Sequence, residues 1–496
     1  VKPVVTVAEM RAVDEAALAY VSEATLVERA GTAVAVGALQ LLGGAYGRRV
    51  VVVAGKGNNG ADGRVAAARL AARGARVRVV EVADAPERIG PAGAVDLVVD
   101  AAFGTGFRGE YRAPAVPAGV RVLAVDIPSG VDGDSGAACG EPLRADATVT
   151  FAALKPGLLQ GDGPLLAGRV TVADIGLDVS GARIWVVDDD DVGAMVPARP
   201  RSAHKWQTAV AVVAGSPGMS GAAGLCARGA YRAGAGMVRL GLPGGDPDDA
   251  DVEEAVATGL PAEGWASAAL AMAERCKALV VGPGLGRTPA TADEVRALLG
   301  SFAGPMVVDA DGLFALGSGD EARRVLAGAA GPVVLTPHDG EFARLTGSAP
   351  GADRIAAARA AAAARGVVVL LKGPTTVVAD PAGDVRLAVA GSPRLATAGT
   401  GDVLAGVIGA FAARGVAPLE AAALGAHVHG RAAALGPPEG LVAGDLPDLV
   451  ARRLSSLSGD VGRADAGNAD TGHGRVEHGR VEHGRVQHGE ARGTGA

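Results

Sequence analysis

The feature that most constrains this chain is a repeated unit: a short run of Val, Leu and Ala, a Gly-rich turn, then an Ala-rich helical stretch. Arg49–Ala54 reads RVVVVA, the turn Gly55–Gly63 follows, and Arg64–Arg73 has helical composition. Further apolar runs fall at Arg76–Val82, Asp96–Asp100, Arg121–Asp126 and Thr148–Phe151. A second series starts at Thr208–Ala214 and recurs at Met237–Leu242, Ala278–Val281, Met306–Asp309, Val333–Leu335, Val367–Leu371 and Thr376–Ala379. Helices are predicted over Gly221–Arg232, Ala352–Arg365, Asp402–Arg414, Leu419–Leu435 and Leu446–Leu454. Strands apolar on both faces and separated by helices belong to parallel sheets covered on both sides. The predicted class is α/β, with two three-layer α/β/α domains.

The length, 496 residues, suits two or three such domains. We divide the chain at 1–195, 196–457 and a tail at 458–496. A capping box at Thr6–Glu9 precedes a helical stretch over Met10–Leu39. The weaker region Gly176–Arg201 holds Asp188–Asp191, read as a solvated surface, and the Pro/Arg stretch Val196–Arg201 that marks the boundary. Each half is expected to carry its own sheet. The tail repeats His-Gly-Arg-Val from His473 to Gly489 and is expected to be disordered.

Seven Phe, four Tyr and three Trp leave a core of Val, Leu and Ala, since 49% of the chain is hydrophobic. A net charge of −7 with scattered signs argues against a basic nucleic-acid-binding face. Cys139, Cys226 and Cys276 are far apart, which excludes a disulfide framework and a Cys-x-x-Cys zinc site. With no apolar run of ~18–20 residues and no signal-peptide pattern, no membrane span is expected, and the expected location is cytoplasmic.

In the first half, four strand ends carry polar residues: Gly55–Gly63 (GKGNNGADG), Asp100–Glu110 (DAAFGTGFRGE), Asp126–Gly130 (DIPSG) and Lys155–Gly157 (KPG). In a parallel sheet these carboxyl ends meet along one edge and make one site. Glycines let backbone N–H groups approach a phosphate at a helix N-terminus. Asn59, Asp100 and Ser129 offer oxygens that suit a hard cation. Asp126 and Lys155 are the titratable pair for proton transfer.

The motifs N-N-G-x-D-G, D-A-x-x-G-T-G-x-x-G and D-I-P-S-G, in this order over residues 5–180, resemble the NAD(P)H-hydrate epimerase family, a Rossmann-like domain. Ala61 stands where that family usually has glycine. The resemblance implies a K⁺ ion at Asn59, Asp100 and Ser129. It also implies contacts to the hydrated cofactor from Asn58, Asn59, Gly60, Ala61 and Asp62, from Gly104, Thr105, Gly106, Phe107, Arg108, Gly109 and Glu110, and from Asp126.

In the second half, Ala398–Asp402 (AGTGD) precedes an apolar helix. Amides of such a turn stabilise charge on a phosphoryl oxygen, and the aspartate can take a proton from a substrate hydroxyl. Lys372–Thr376 (KGPTT) at a strand end suits a nucleotide phosphate, and Thr336–Glu341 (TPHDGE) follows another strand. Together with Gly282–Gly286 (GPGLG), these resemble the ribokinase-like fold over residues 196–455, specifically the ADP-dependent NAD(P)H-hydrate dehydratase. Asp339 replaces that family's second proline, and His204-Lys205-Trp206-Gln207 departs from its H-K-G. The resemblance implies nucleotide contacts from Lys372, Gly373, Pro374, Thr375, Thr376 and Gly401. It implies hydrated-cofactor contacts from Ala222, Gly286, His338 and Asp402, with Mg²⁺ accompanying ADP. His427 and His429 are read as helix packing or surface rather than a metal pair.

The expected function is therefore a bifunctional repair enzyme. It would interconvert the R and S hydrates of NADH and NADPH and dehydrate the S form at the expense of ADP, giving AMP and phosphate. Catalysis is expected from Asp126, Lys155 and Asp402, in a homo-oligomer. Two alternatives stand beside it. One is a ribokinase-like vitamin-precursor kinase with a fused ligand-binding domain, which G-T-G-D alone does not exclude. The other is a non-catalytic binding module in the first half, against which the intact Asp126 and Lys155 argue.

Overall fold

The computed structural model describes residues 2–91 and 93–468; the His-Gly-Arg-Val repeat lies outside the described residues. Strand β1 (Lys2–Val4) is followed by helices α1 (Val7–Ala17) and α2 (Glu23–Leu42). The stretch read as one helix over Met10–Leu39 is thus two, because Ser22 N-caps the second by accepting from the Thr25 amide. The Thr6–Glu9 capping box is present, with the Glu9 carboxylate accepting from the Thr6 amide at 2.8 Å.

Next come β2 (Arg49–Ala54), α3 (Asn58–Ala71), β3 (Arg76–Glu81) and β4 (Leu97–Ala101). They are followed by β5 (Tyr111–Arg112), β6 (Arg121–Val125), β7 (Gly140–Glu141), β8 (Ala147–Phe151) and β9 (Arg169–Ala173). The order β3-β2-β4-β6-β8-β9 makes one parallel sheet, and β5 pairs with β7 alone. The chain runs one way from β2 to β3 and the other way from β2 through β4, so β2 and β4 flank a topological switch point. Ligand crevices form outside the carboxyl ends of strands at such a point.

The Val run in β2 is continuous because both faces are covered. Val50 and Val52 pack into a cluster with α2 and α3, whereas Val51 and Val53 pack with Ile89, Val95 and Tyr111. Burying each valine stabilises the fold by roughly 1.5–3 kcal/mol.

The second half adds β10 (Ile184–Val186), β11 (Ala209–Val213), β12 (Met237–Pro243), β13 (Val256–Leu260) and β14 (Ala278–Val281). Then come β15 (Met306–Val308), β16 (Val333–Leu335), β17 (Val368–Leu371), β18 (Thr376–Ala379) and β19 (Val385–Ala388). They lie in the order β1-β10-β19-β18-β17-β16-β15-β14-β11-β12-β13.

That order corrects the expectation of one sheet per half. β1 and β10 precede residue 195 yet extend the second sheet, β10 lying parallel to β19 and β1 antiparallel to β10. Val4, Ile127, Leu154 and Ile184 share a core cluster with Leu371, Val377 and Leu387. Arg183 Nε also donates to Asp384 at 2.9 Å.

Two further readings change. Asp188–Asp191 is not a merely solvated surface: Asp188 caps the helix Asp189–Met195, and Asp191 is buried. Asp189 pairs with His427 at 2.9 Å and Arg431 at 3.3 Å, and with Arg453 as well. That carboxylate sits below its usual pKa: burial pushes it up, but Arg453 and His427 more than offset this. His427 and His429 are both buried on the helix Pro418–Ala433. The last helix, Leu446–Asn468, continues past the expected end of the second domain at 457.

Candidate functional site

The site of the first half is a cavity of about 890 Å³ at the carboxyl ends of β2, β4, β6 and β8. The turn after β2 is shorter than the sequence suggested, because α3 starts at Asn58 rather than Arg64. Asn58–Gly63 is therefore a helical first turn. Its Gly57 N-cap makes no side-chain cap, which leaves N–H groups for an anionic ligand. A Cβ at Gly60 would lie 1.9 Å from the Gly55 carbonyl oxygen, so only glycine permits this approach. Ala61, by contrast, occupies an ordinary helical position.

Asp126 closes β6 in the left-handed region at φ 65°, an uncommon conformation for a residue with a Cβ. Its Oδ1 accepts from Lys155 Nζ at 2.7 Å and from Thr150 Oγ1 at 3.0 Å. Lys155 also donates to Thr150 Oγ1 and to the Phe151 carbonyl, each at 2.9 Å, and is 1% exposed. A lysine so enclosed has its ammonium fixed on the carboxylate beside the cavity. Asp62, at the far end of the helical turn, is buried and near Asp126; burial first, then that charge, pushes its pKa up to about 8. It carries a proton at neutral pH.

Beneath this lies a polar cradle. Asp100 Oδ2 accepts from the Ser129 amide at 2.9 Å, and Ser129 Oγ accepts from the Phe103 amide at 2.9 Å. Asp100 is 1% exposed and its pKa is raised by burial, with hydrogen bonds from Ser129 and Ala102 opposing. Among the described residues, no ammonium or guanidinium contributes to that balance. Asn59 Nδ2 is buried without a partner, and Asn59 Oδ1 lies 3.4 Å from where a Gly104 Cβ would sit. A buried carboxylate short of positive charge, with the Ser129 hydroxyl beside it, is chemistry that fits a hard monovalent cation, whereas the Asn59 oxygen is placed on the Gly104 and Asp126 side.

Of the expected substrate-contact residues, Asn58, Asn59, Asp62, Gly104, Thr105, Gly106, Phe107 and Asp126 line the cavity, as does Lys155. Gly60, Ala61, Arg108, Gly109 and Glu110 do not. Arg108 lies 3.9 Å from Asp132, Gly109 turns the chain at φ 105°, and Glu110 is exposed. Sequence reading missed Thr150 and the wall built by α1, where Met10, Asp14 and Leu18 face the cavity. Their spacing of four was the available signal.

The site of the second half gathers around the helix Thr400–Ala413, whose N-cap Gly399 is left-handed at φ 88°. Lys372 Nζ meets Asp309 Oδ1 at 2.7 Å, and Thr336 Oγ1 donates to the same oxygen at 2.7 Å. A Cβ at Gly401 would come within 3.3 Å of Lys372 Nζ and 3.7 Å of Asp309 Oδ2, so the turn lies directly over this pair. Asp402 is pushed up to about 7, chiefly by burial, then by Asp309, with Lys372 opposing. His429, buried nearby, is pushed down to about 4 by burial and is neutral.

His338 N-caps the helix Asp339–Thr346, its Nδ1 accepting from the Gly340 amide at 3.0 Å. Asp339 pairs with Arg354 at 2.8 Å, and Arg354 donates to the Lys372 carbonyl at 2.7 Å, tying the His338 loop to Lys372–Thr376. The Gly286 amide donates to Asp311, whose charge also raises Asp402. The Ala222 Cβ lies 3.0 Å from where a Gly284 Cβ would sit. Thr375 Oγ1 donates to the Leu159 carbonyl at 2.5 Å, and Thr376 Oγ1 to Gly373 at 3.4 Å. The Pro374 carbonyl would lie 2.2 Å from a Cβ at Gly391. Asp309 was read as a strand residue only.

Known families match both halves. Residues 210–455 fit the NAD(P)H-hydrate dehydratase model, and residues 23–92 and 81–157 fit the model of the YjeF-related protein N-terminus. A bifunctional NAD(P)H-hydrate repair enzyme of Salinibacter ruber is 37% identical, over 91% of this chain and 96% of its own. One from Mycobacterium tuberculosis is 40% identical, over 84% of this chain and 90% of its own. Among solved structures, an ADP/ATP-dependent NAD(P)H-hydrate dehydratase of Bacillus subtilis is 29% identical. It matches 54% of this chain and 97% of its own, with a TM-score of 0.46. The chain belongs to the bifunctional NAD(P)H-hydrate repair enzymes.

Proposed function

We propose that the first half interconverts the R and S hydrates of NADH and NADPH, and that the second half dehydrates the S hydrate with ADP. The observation that carries this reading is the presence, in one chain, of an Asp126–Lys155 pair beside a cavity at the strand ends and a G-T-G-D turn over a Lys372–Asp309 pair whose carboxylate is buried.

The hydrate bears a hydroxyl at C6 next to the ring nitrogen, whose lone pair loosens the C6–O bond. In the first half Asp126, held by Lys155 and Thr150, moves a proton to or from that oxygen. Asn59, Asp100 and Ser129 would hold K⁺, which supplies positive charge beneath the phosphate-facing α3 terminus. Removing potassium should lower epimerisation, and restoring it should recover the rate.

In the second half water is a poor leaving group, so the hydroxyl is first phosphorylated. Asp402 takes the hydroxyl proton while the amides of Thr400 and Gly401 face the phosphoryl oxygens. Lys372–Thr376 and Gly401 hold the nucleotide. Ala222, Gly286 and His338 hold the hydrate beside Asp402, and Mg²⁺ arriving with ADP would supply positive charge to its phosphates. Phosphate then leaves with the C6–O bond, C5 loses a proton, and AMP, phosphate and the reduced nicotinamide remain.

Phosphorus NMR of the full chain with ADP and S hydrate tests this. AMP and phosphate should rise together with reduced cofactor, one for one. A stable phosphorylated product without cofactor recovery would point to a kinase instead. We also expect a homo-oligomer, which light scattering would measure.

A further inference from the structure

Helix α1 brings one more titratable group to the first cavity. Met10, Asp14 and Leu18 recur every fourth residue, so one face of α1 and its C-cap is a cavity wall. Met10 and Leu18 are apolar cover; Asp14 is the carboxylate between them. Among the described residues its side chain makes no hydrogen bond and no ion pair.

Helix stability does not account for it. Asp14 lies in the C-terminal part of α1, where the exposed carbonyls make negative charge unfavourable, and the last turn holds no basic residue to compensate. The helix is nevertheless fixed in place. Its N-terminus carries the Thr6–Glu9 box, the Val7 amide donates to Asp134 at 2.8 Å, and β1 is paired into the second sheet. The backbone of Asp14 is therefore fixed at the cavity wall, and its side chain, largely open to solvent, lines the cavity from there. Partial desolvation at the cavity wall raises its pKa, the Lys155 ammonium lowers it and the Asp126 carboxylate raises it; the last two are the groups already assigned to the reaction.

We propose that Asp14 is a second proton-transferring residue of the epimerase, acting on the C6 hydroxyl from the α1 wall while Asp126 and Lys155 act from the strand ends. This rests on the epimerase reading above. Protonated Asp14 gives its proton to the hydroxyl. The C6–O bond breaks, water leaves, and the N1 lone pair becomes the N1–C6 π bond. A water then adds to the opposite face of C6, the π pair returns to N1, and the Asp126 carboxylate takes the proton that this water sheds. C6 is inverted, with Asp14 ionised and Asp126 protonated. The proton returns through water in the cavity, and the reverse reaction exchanges the two roles.

The test uses the full chain with purified R hydrate, with chromatographic separation of the epimers, and the variants Asp14→Asn and Asp14→Glu. Failure of the wild type to epimerise would sink the epimerase reading itself, separately from this proposal. Given an active wild type, Asp14→Asn should lower kcat by ~10²–10³-fold with KM changed less than about threefold, and Asp14→Glu should regain at least about tenfold over it. ADP-dependent dehydration of S hydrate should be unchanged, which reports that the chain is folded. Asp14→Asn within about fivefold of wild type overturns the proposal. So does a loss expressed mainly in KM, or one that Glu does not relieve, since either marks a structural wall residue.

Discussion

Asp402 combines two demands in one place: a carboxylate at a helix start, and burial beside Asp309 that keeps it half-protonated near neutral pH. A base whose pKa is raised to about 7 is ionised only above that pH. Dehydration kcat/KM at saturating ADP should therefore rise with pH through about 7 and then level off. Asp402→Asn keeps the size, disturbs no side-chain cap and removes the base. It should cost ~10²–10⁴-fold in turnover while leaving R-to-S interconversion intact. Turnover within a few-fold of wild type would mean that the turn acts through its backbone alone. The mirror variant, Asp126→Asn, should spare dehydration of pure S hydrate yet confine use of the R form to its spontaneous epimerisation. Asp126 and Lys155 stand out in the sequence because each lies just past a strand, and Asp402 because it opens a helix after a Gly-Thr-Gly turn, in motifs where a charged side chain has little structural use. Thr150, Asp309 and Asp14 do not. Thr150 and Asp309 read as strand residues, and Asp14 reads as one polar position of an amphipathic helix; only the fold buries the first two and sets the third at the cavity wall.

Among the elements, the parallel strands of both halves announced themselves through continuous Val and Leu runs, as in β2 and β17. The strands that were missed are short or mixed in polarity, such as Lys-Pro-Val in β1 and Val-Arg-Leu-Ala in β19, and owe their conformation to a neighbour rather than to periodicity. Their pairing changes what can be cut apart. A chain truncated to 196–496 loses β1 and β10 and leaves β19 as an open edge facing solvent. It should show a lower Tm than the full chain and a greater tendency to aggregate, as thermal melts with light scattering would reveal. Equal stability would mean that the two grafted strands contribute nothing. Asp189→Ala tests the same seam from the helix side. It leaves Arg453 and the buried His427 without their carboxylate and should cost roughly 1–3 kcal/mol in urea unfolding, the lower end reflecting the partial exposure of Asp189.

The whole molecule places a site for each epimer's fate in one chain, with α1 walling the first site and the preceding strand β1 belonging to the sheet that carries the second. The order of motifs along the chain was enough to read two α/β units and their chemistries. The shared sheet was invisible because it joins residues far apart in sequence across what looks, by composition, like a linker. The central claim is that this chain removes both epimers. Its most direct measurement is the recovery of near-ultraviolet reduced-nicotinamide absorbance from an equimolar mixture of R and S hydrated NADH with excess ADP, over a time short against spontaneous epimerisation. The account predicts full recovery by the wild type, and a stop at half for Asp126→Asn. A wild type that also stops at half, consuming only the S form, would contradict it.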